Sequence, residues 1–357
     1  MDTPPPARDP RAALDALVAQ SRTPGLQYLV LGAAGTLFEY DRGWADIRHR
    51  VAMTPATTMM AYSMSKTITA AAVLQLVAAG RARLDDEIDG AIRTPYGPGI
   101  TIRRLLAHLS GLPNPIPLRW VHPVARHGSF DEHAALDAVL AAHPKPASAP
   151  GTAYHYSNIG YWLLGRVVER ASGESFTTYV ADHLLTPLGI PSVDLGYVIP
   201  DAGRHAHGYL EKWSFMNLAK RLLIDRELIG DYEGSWLRIE PHYLNGPAFG
   251  GLVGTARGFG TFLRDQLQPQ SVVLDRSART LFTEQQRTTA NTPVPMTLGW
   301  HLGDLAGRPF YYKEGGGGGF HCEMRIYPAP GVASIIMTNA TGFDVKGCLN
   351  ALDGGFC

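Results

Sequence analysis

The chain has 357 residues, 45% of them apolar, with 32 basic and 32 acidic side chains and therefore no formal net charge. That balance excludes recognition of nucleic acid or an anionic membrane by bulk charge, and no apolar run is long enough to span a bilayer. The length exceeds a typical single domain, so two lobes, or one domain with a large insertion, are expected.

The start, MDTPPPARDPRAALDALVAQ, lacks the basic stretch and apolar run of a secretory signal. The three cysteines, Cys322, Cys348 and Cys357, form no CxxC pair. Both features point to a cytoplasmic protein with reduced thiols.

In chain order, RAALDALVAQ has helical spacing, and LQYLVLG and TLFEYDRG flank a short AAG turn as a β-hairpin. From Lys66 to Ala79 the chain is apolar on nearly every side, which predicts a buried helix stopped by Gly80. From about Ala82 to Tyr209 helices and loops dominate. TIRRLLAHLSG carries a Thr101 cap and a Gly111 stop, and NIGYWLLGRVVERASG has apolar positions three to four apart before Gly173. SFMNLAKRLLIDREL predicts a further helix. After Ala248 strand patterning returns: FHCEMRIYP and VASIIMTN flank APG as a second hairpin, before a final helix near residues 343–352. Strands at both ends and helices between them predict an α/β (α+β) fold. Its antiparallel sheet, flanked by helices, is built from both termini (residues 1–80 and 247–357). Residues 81–246 form a mainly helical domain.

Three stretches can carry chemistry. In Ser63-Met64-Ser65-Lys66, residues three apart share a helix face, so the Ser63 hydroxyl and the Lys66 amine can meet. A serine needs a base to become a nucleophile, and an amine buried in an apolar helix is deprotonated readily enough to be that base. Tyr156-Ser157-Asn158 precedes a helix that Asn158 could cap; a tyrosine near a lysine cation ionises more easily and can shuttle a proton. Lys313-Glu314-Gly315 opens a run of five glycines, Gly315 to Gly319. Such a run reads as a linker or as a strand edge offering close-approach N–H groups. A phosphate cradle is disfavoured, because no GK[ST] follows and no helix opens after the run. His205 and His207 have no ligand partner at metal spacing, and His108 is expected to tie a helix end to its loop.

In their order SxxK, YxN, KxG, these elements resemble the serine β-lactamase and penicillin-binding-protein superfamily, with class C β-lactamases, DD-peptidases and family VIII carboxylesterases as the nearest likenesses. SMSKTITAAAVLQLVAAGRARLDDEI, LLAHLSGLP, LLTPLGI, FGGLVGTARGFGTFL and LGW agree with it. The resemblance implies an antiparallel sandwich with an all-helical lobe and a cofactor-free, metal-free acyl-enzyme mechanism. Ser63 would be the nucleophile, Lys66 its proton acceptor and Tyr156 the shuttle. The backbone N–H groups of Ser63 and Gly316 would form the oxyanion hole. Asn158, Lys313, Glu314 and Gly315 would meet the substrate. Family members directed at penicillins carry Thr or Ser where this chain has Glu314, which would repel a substrate carboxylate unless it turned away to pair with a cation. An insertion, residues 211–246, supplies Trp213, Phe215, Tyr232, Trp236 and Tyr243 as a candidate pocket wall. The expected activity is hydrolysis of small carboxylic esters, with weak β-lactam turnover beside it. The expected partner is a small-molecule ester or amide. The alternatives are a class C-like β-lactamase or D-amino-acid peptidase, an acyltransferase, and a penicillin-binding sensor without turnover.

Overall fold

The computed structural model describes residues 9–90, 92–115, 120–215, 217–218 and 224–357. Its elements grow from the patterns above. The first helix is α1 (Pro10–Ala19), capped by the Asp9 side chain. The hairpin β1 (Gly25–Gly32) and β2 (Gly35–Asp46) follows, then a short β3 (Val51–Ala52). The buried helix α2 runs Ser65–Ala78 and α3 runs Asn158–Ser172. The residue capping α3 is Ser157, not Asn158: its hydroxyl accepts from Gly160 N, and Gly173 closes the helix at φ 80°. Helix α4 (Ala256–Leu267) precedes β4 (His301–Leu305), β5 (Arg308–Gly317), β6 (Phe320–Tyr327) and β7 (Val332–Thr338). Helix α5 (Val345–Leu352) follows.

The two ends of the chain meet in one antiparallel sheet of order β4-β5-β6-β7-β1-β2-β3. Its centre, β7 against β1, is buried on both faces, so the usual alternation appears as a division between two cores. Leu29, Leu31, Ile335 and Met337 face the larger core, which contains α2 and α4. Tyr28, Val30 and Ile336 face the smaller one under α1 and α5. Between the sheet halves lie helices such as Glu132–Ala142 and α3, together with short strands. The helix expected over 214–228 falls partly on residues outside those described, and the same insertion forms a three-stranded sheet from Gly208–Glu211, Trp236–Ile239 and Ile229–Glu233.

On the smaller-core face the sheet carries a buried charge network. Arg325 donates to Glu323 Oε1 (2.5 Å) and Asn350 Oδ1 (2.8 Å), and lies 3.7 Å from Asp353 Oδ2. Asp353 in turn accepts from Tyr28, Tyr327 and Ser334. Burial raises the carboxyl pKa values of Asp353 and Glu323, with Arg325 opposing that rise. Truncating one member of such a set strands the others in low dielectric. Arg325→Leu should therefore lower unfolding free energy by about 3–5 kcal/mol, read as a fall in the urea midpoint at constant m-value; a change within error would contradict the network's role.

Candidate active site

Between Thr57 and Leu74 every residue is buried except Ser63. Ser63 lies in a 3-10 turn (Tyr62–Met64) that runs directly into α2, so its hydroxyl sits at a helix N-terminus and Lys66 lies on the same face. Lys66 Nζ is 2.9 Å from Ser63 Oγ, and Tyr156 Oη donates to that same oxygen at 2.8 Å. Ser65 points elsewhere, its hydroxyl accepting from Leu252 N. The SxxK serine and lysine and the YxN tyrosine, distant in sequence, thus converge on one oxygen.

The other partners of Lys66 are compatible with a neutral amine. Nζ also donates to Asn158 Oδ1 (2.8 Å) and to the Phe249 carbonyl (2.6 Å), both of which can only accept. A neutral amine has two hydrogens and one lone pair. Two hydrogens aimed at Asn158 and Phe249 leave the lone pair for the Ser63 hydroxyl. Burial, then the nearby Lys313, push the Lys66 pKa well below its ordinary value, which favours that neutral form. Lys313 is also fully buried; among the described residues its Nζ has no hydrogen-bond partner, and it stands 5.5 Å from the Tyr156 ring centre. Burial pushes its pKa down to about 7. The expectation that a lysine cation would ease ionisation of Tyr156 is corrected: burial raises the phenol's pKa, outweighing the hydrogen bond to Ser63. Tyr156 is a neutral donor here.

Strand β5 forms the facing wall. Its neighbour β4 begins at His301, opposite Tyr312, so among the described residues that edge carries no strand partner from Lys313 to Gly317. The Ser63 turn lies against it. A Cβ on Gly315 would come within 2.2 Å of the Ala61 carbonyl and 3.0 Å of Ser63 N, so only glycine permits the approach. The glycine run is strand through Gly317 and a turn at Gly318-Gly319, not a linker. Gly316, one step along, is exposed.

Several expected contacts are absent. Glu314 alternates to the opposite face from Lys313 and bonds His321 Nε2 at 2.7 Å, with Glu323 directly across the strand pair. The His321 bond lowers the Glu314 pKa; burial of His321 disfavours its charge, but the bond to Glu314 raises its pKa overall. Glu314 has therefore turned away and paired. Asn158 is buried with both amide ends occupied, by Lys66 and by Asn114 Oδ1 (3.0 Å), so it orients Lys66 rather than reaching outward. The pocket wall fails by orientation. Trp213 is 87% and Phe215 76% exposed, while Trp236 is buried in the smaller core on the other side of the sheet. Tyr232 is half exposed, and Tyr243 is buried and stacked on His127.

Other groups at the site escaped the sequence. The Phe249 carbonyl comes from a helical turn at Pro247–Gly250 whose GPAFGG composition signals only tight packing. Asn114 follows the SGLP turn and accepts from both Asn158 N and Asn158 Nδ2. His301, next to LGW, bonds the Tyr154 hydroxyl at 3.0 Å and stacks near Tyr156. Burial, and then the neighbouring Lys313 and Lys66 amines, holds its pKa down to about 2. His108 does make the expected tie: it adopts φ 56° after its helix, and its Nδ1 accepts from Ser157 N. His205 bonds Thr58, and among the described residues no group of three or more His, Cys, Asp or Glu side chains is placed to hold a metal. Among those residues, too, no helix is long and apolar enough to cross a membrane.

Known proteins share this architecture. A family model described as Beta-lactamase matches residues 11–352. Penicillin-binding protein 4 of Amycolatopsis lactamdurans is 29% identical over 347 residues, covering 92% of this chain and 85% of that protein. The crystal structure of SurE with D-Leu superposes with a TM-score of 0.71 at 26% identity, covering 97% of this chain and 74% of that one. The D-amino acid amidase from Ochrobactrum anthropi SV3, complexed with L-phenylalanine amide, has the same fold, with a TM-score of 0.77 at 21% identity and 96% of each chain covered.

Asn114→Ala removes the acceptor from two Asn158 donors. It should lower unfolding free energy by about 1–3 kcal/mol, two hydrogen bonds' worth, measured by urea denaturation; an unchanged midpoint would mean solvent replaces Asn114 at no cost.

Proposed function

The chain belongs to the beta-lactamase family, whose members are serine hydrolases, and on that footing we propose that it hydrolyses small carboxylic esters through an acyl-enzyme on Ser63. The observation that carries the proposal is that Ser63 Oγ lies within hydrogen-bond distance of two groups, the Lys66 amine, whose lone pair can take its proton, and the Tyr156 phenol, which donates to it. Lys66 takes the hydroxyl proton as Oγ bonds to the substrate carbonyl carbon. The carbonyl oxygen becomes an oxyanion held by the N–H groups of Ser63 and Gly316. As the intermediate collapses, Tyr156 gives its proton to the leaving alkoxide and recovers one from Lys66. Water then attacks the acyl carbon, losing its proton back through Tyr156 and Lys66, and Ser63 is released as the alcohol with the free acid.

The residue at position 314 favours esters over β-lactams and carboxyl-terminated peptides. Lys66 and Lys313 are fully buried, and the residue between Lys313 and Gly315 is Glu314, whose carboxylate lies on the opposite face of β5 and is paired with His321. No hydroxyl stands at that position to receive a substrate carboxylate. A second reading, hydrolysis of an amino-acid amide, fits equally, since an amide carries no carboxylate for a hydroxyl to receive. It gains support from the likeness to the Ochrobactrum amidase.

Ser63→Ala should abolish p-nitrophenyl ester turnover and labelling by a fluorophosphonate, with the thermal transition retained; residual turnover above background would refute the assignment. Run on esters, nitrocefin and D-amino-acid amides together, a higher kcat/KM for nitrocefin would reverse the preference.

The pH dependence follows from the lysines. Lys66 acts only when neutral, so kcat/KM falls as pH drops through its pKa. Lys313 depresses that pKa; removing the neighbouring charge lets Lys66 hold its proton to higher pH. Lys313→Met should therefore move the acidic limb of the kcat/KM profile to higher pH, and a limb that stays or moves down would show that the two amines are not coupled.

A further inference from the structure

We propose that Tyr62 is a positioning residue for the oxyanion site, holding the Ser63 turn and the glycine edge of β5 together through its hydrogen bond to the Gly318 carbonyl. The inference deepens the acyl-enzyme reading and rests on it, because the two N–H groups assigned to the oxyanion belong to these two segments.

Tyr62 immediately precedes the nucleophile, and its backbone is left-handed at φ 45°. A bulky residue adopts that conformation only where its surroundings over-determine it, and such strain gathers at working sites. Here the left-handed step sends the ring across to β5 while Ser63 continues into α2. The ring is buried and packs against Gly317: a Cβ there would come within 2.5 Å of its carbons. Its hydroxyl reaches past the end of the strand and donates to the Gly318 carbonyl at 2.7 Å. The backbone on either side of Tyr62 packs on Gly315. The tyrosine thus spans Gly315 to Gly318, and Gly316 lies inside that span.

The far side of the same turn is fixed independently. Thr341 Oγ1 donates to the Gly317 carbonyl (2.8 Å) and accepts from Gly319 N (2.7 Å). Gly319 packs on the backbone of Gly208, leaving no space for a Cβ on either. With one face of the turn held by Thr341 and Gly208, the Tyr62 bond sets how closely the other face approaches the nucleophile. His242 sharpens the point. Its Nδ1 lies 3.0 Å from the Glu240 carbonyl and must donate there, so in the neutral ring Nε2 is an acceptor, 3.2 Å from the Tyr62 hydroxyl. The phenol has one proton for these two acceptors, and the Gly318 carbonyl is the nearer.

Tyr62→Phe keeps the ring on Gly317 and removes only the clamp. The readout compares an ester with its thionoester, whose sulfur fits an oxyanion hole less well. Losing a whole oxyanion donor costs about 10²–10³ in kcat, so a displaced one should cost about 10–100-fold, with KM changed by less than about twofold. Thionoester turnover should fall less, narrowing the oxygen-to-sulfur rate ratio. Gly317→Ala, which pushes the Tyr62 ring off the strand, should narrow that ratio in the same direction. Equal losses on both substrates, or no loss in Tyr62→Phe while wild type still labels at Ser63 with a fluorophosphonate, would overturn the positioning role and leave the acyl-enzyme standing. A wild type that never labels at Ser63 would remove the acyl-enzyme and this proposal with it.

Discussion

The constraint on which the site depends is that Lys66 must stay buried. A lysine on an exposed helix start would be a solvated cation and useless as a base. Helix α2 prevents this because it is buried on nearly every side, packed against α3, the Pro247–Gly250 turn and the helix Arg276–Thr283. Burial opposes the charge, and the acceptors at Asn158 and Phe249 use the two hydrogens a neutral amine has. Removing either acceptor would cost more than a hydrogen bond, since it frees the amine to rotate its lone pair away from Ser63.

A second requirement is close approach of two backbones. The nucleophile's turn must lie against a strand edge, and ordinary residues on that edge would keep it away. Strand β4 begins opposite Tyr312, which exposes the edge, and glycines at 315 and 317 remove the side chains that would fill the gap. The neighbouring positions 314 and 316 point to the other face, and there Glu314 joins His321 beside the buried Arg325 network. Alternation along one strand therefore separates the chemistry of Lys313 from the electrostatics of Glu314.

What the sequence made legible was local. The hairpins, α2, and the Ser63-Lys66 spacing follow from periodicity that tertiary packing had no reason to override. Convergence of Tyr156 on Ser63 came from the ordered motifs. Orientation was not legible where a residue's direction depends on distant partners. Trp213, Phe215 and Trp236 sit in one aromatic-rich insertion, yet two are exposed and the third crosses to the core under α1. Asn158 read as a cap and a substrate contact because nothing nearby in sequence reveals Asn114 or Lys66 as its partners. The Phe249 carbonyl and the Tyr62 clamp are backbone and conformational features that no residue type announces.

The central claim is that Lys66 is a neutral amine at working pH, and its own titration tests this most directly. With lysines carrying labelled Cε carbons, Lys66 assigned by its loss in Lys66→Met, an NMR pH titration should show its resonance at the free-amine position through neutral pH, far below the ordinary pKa of 10.5. A Lys66 that titrates near 10.5 with the other lysines would contradict the account.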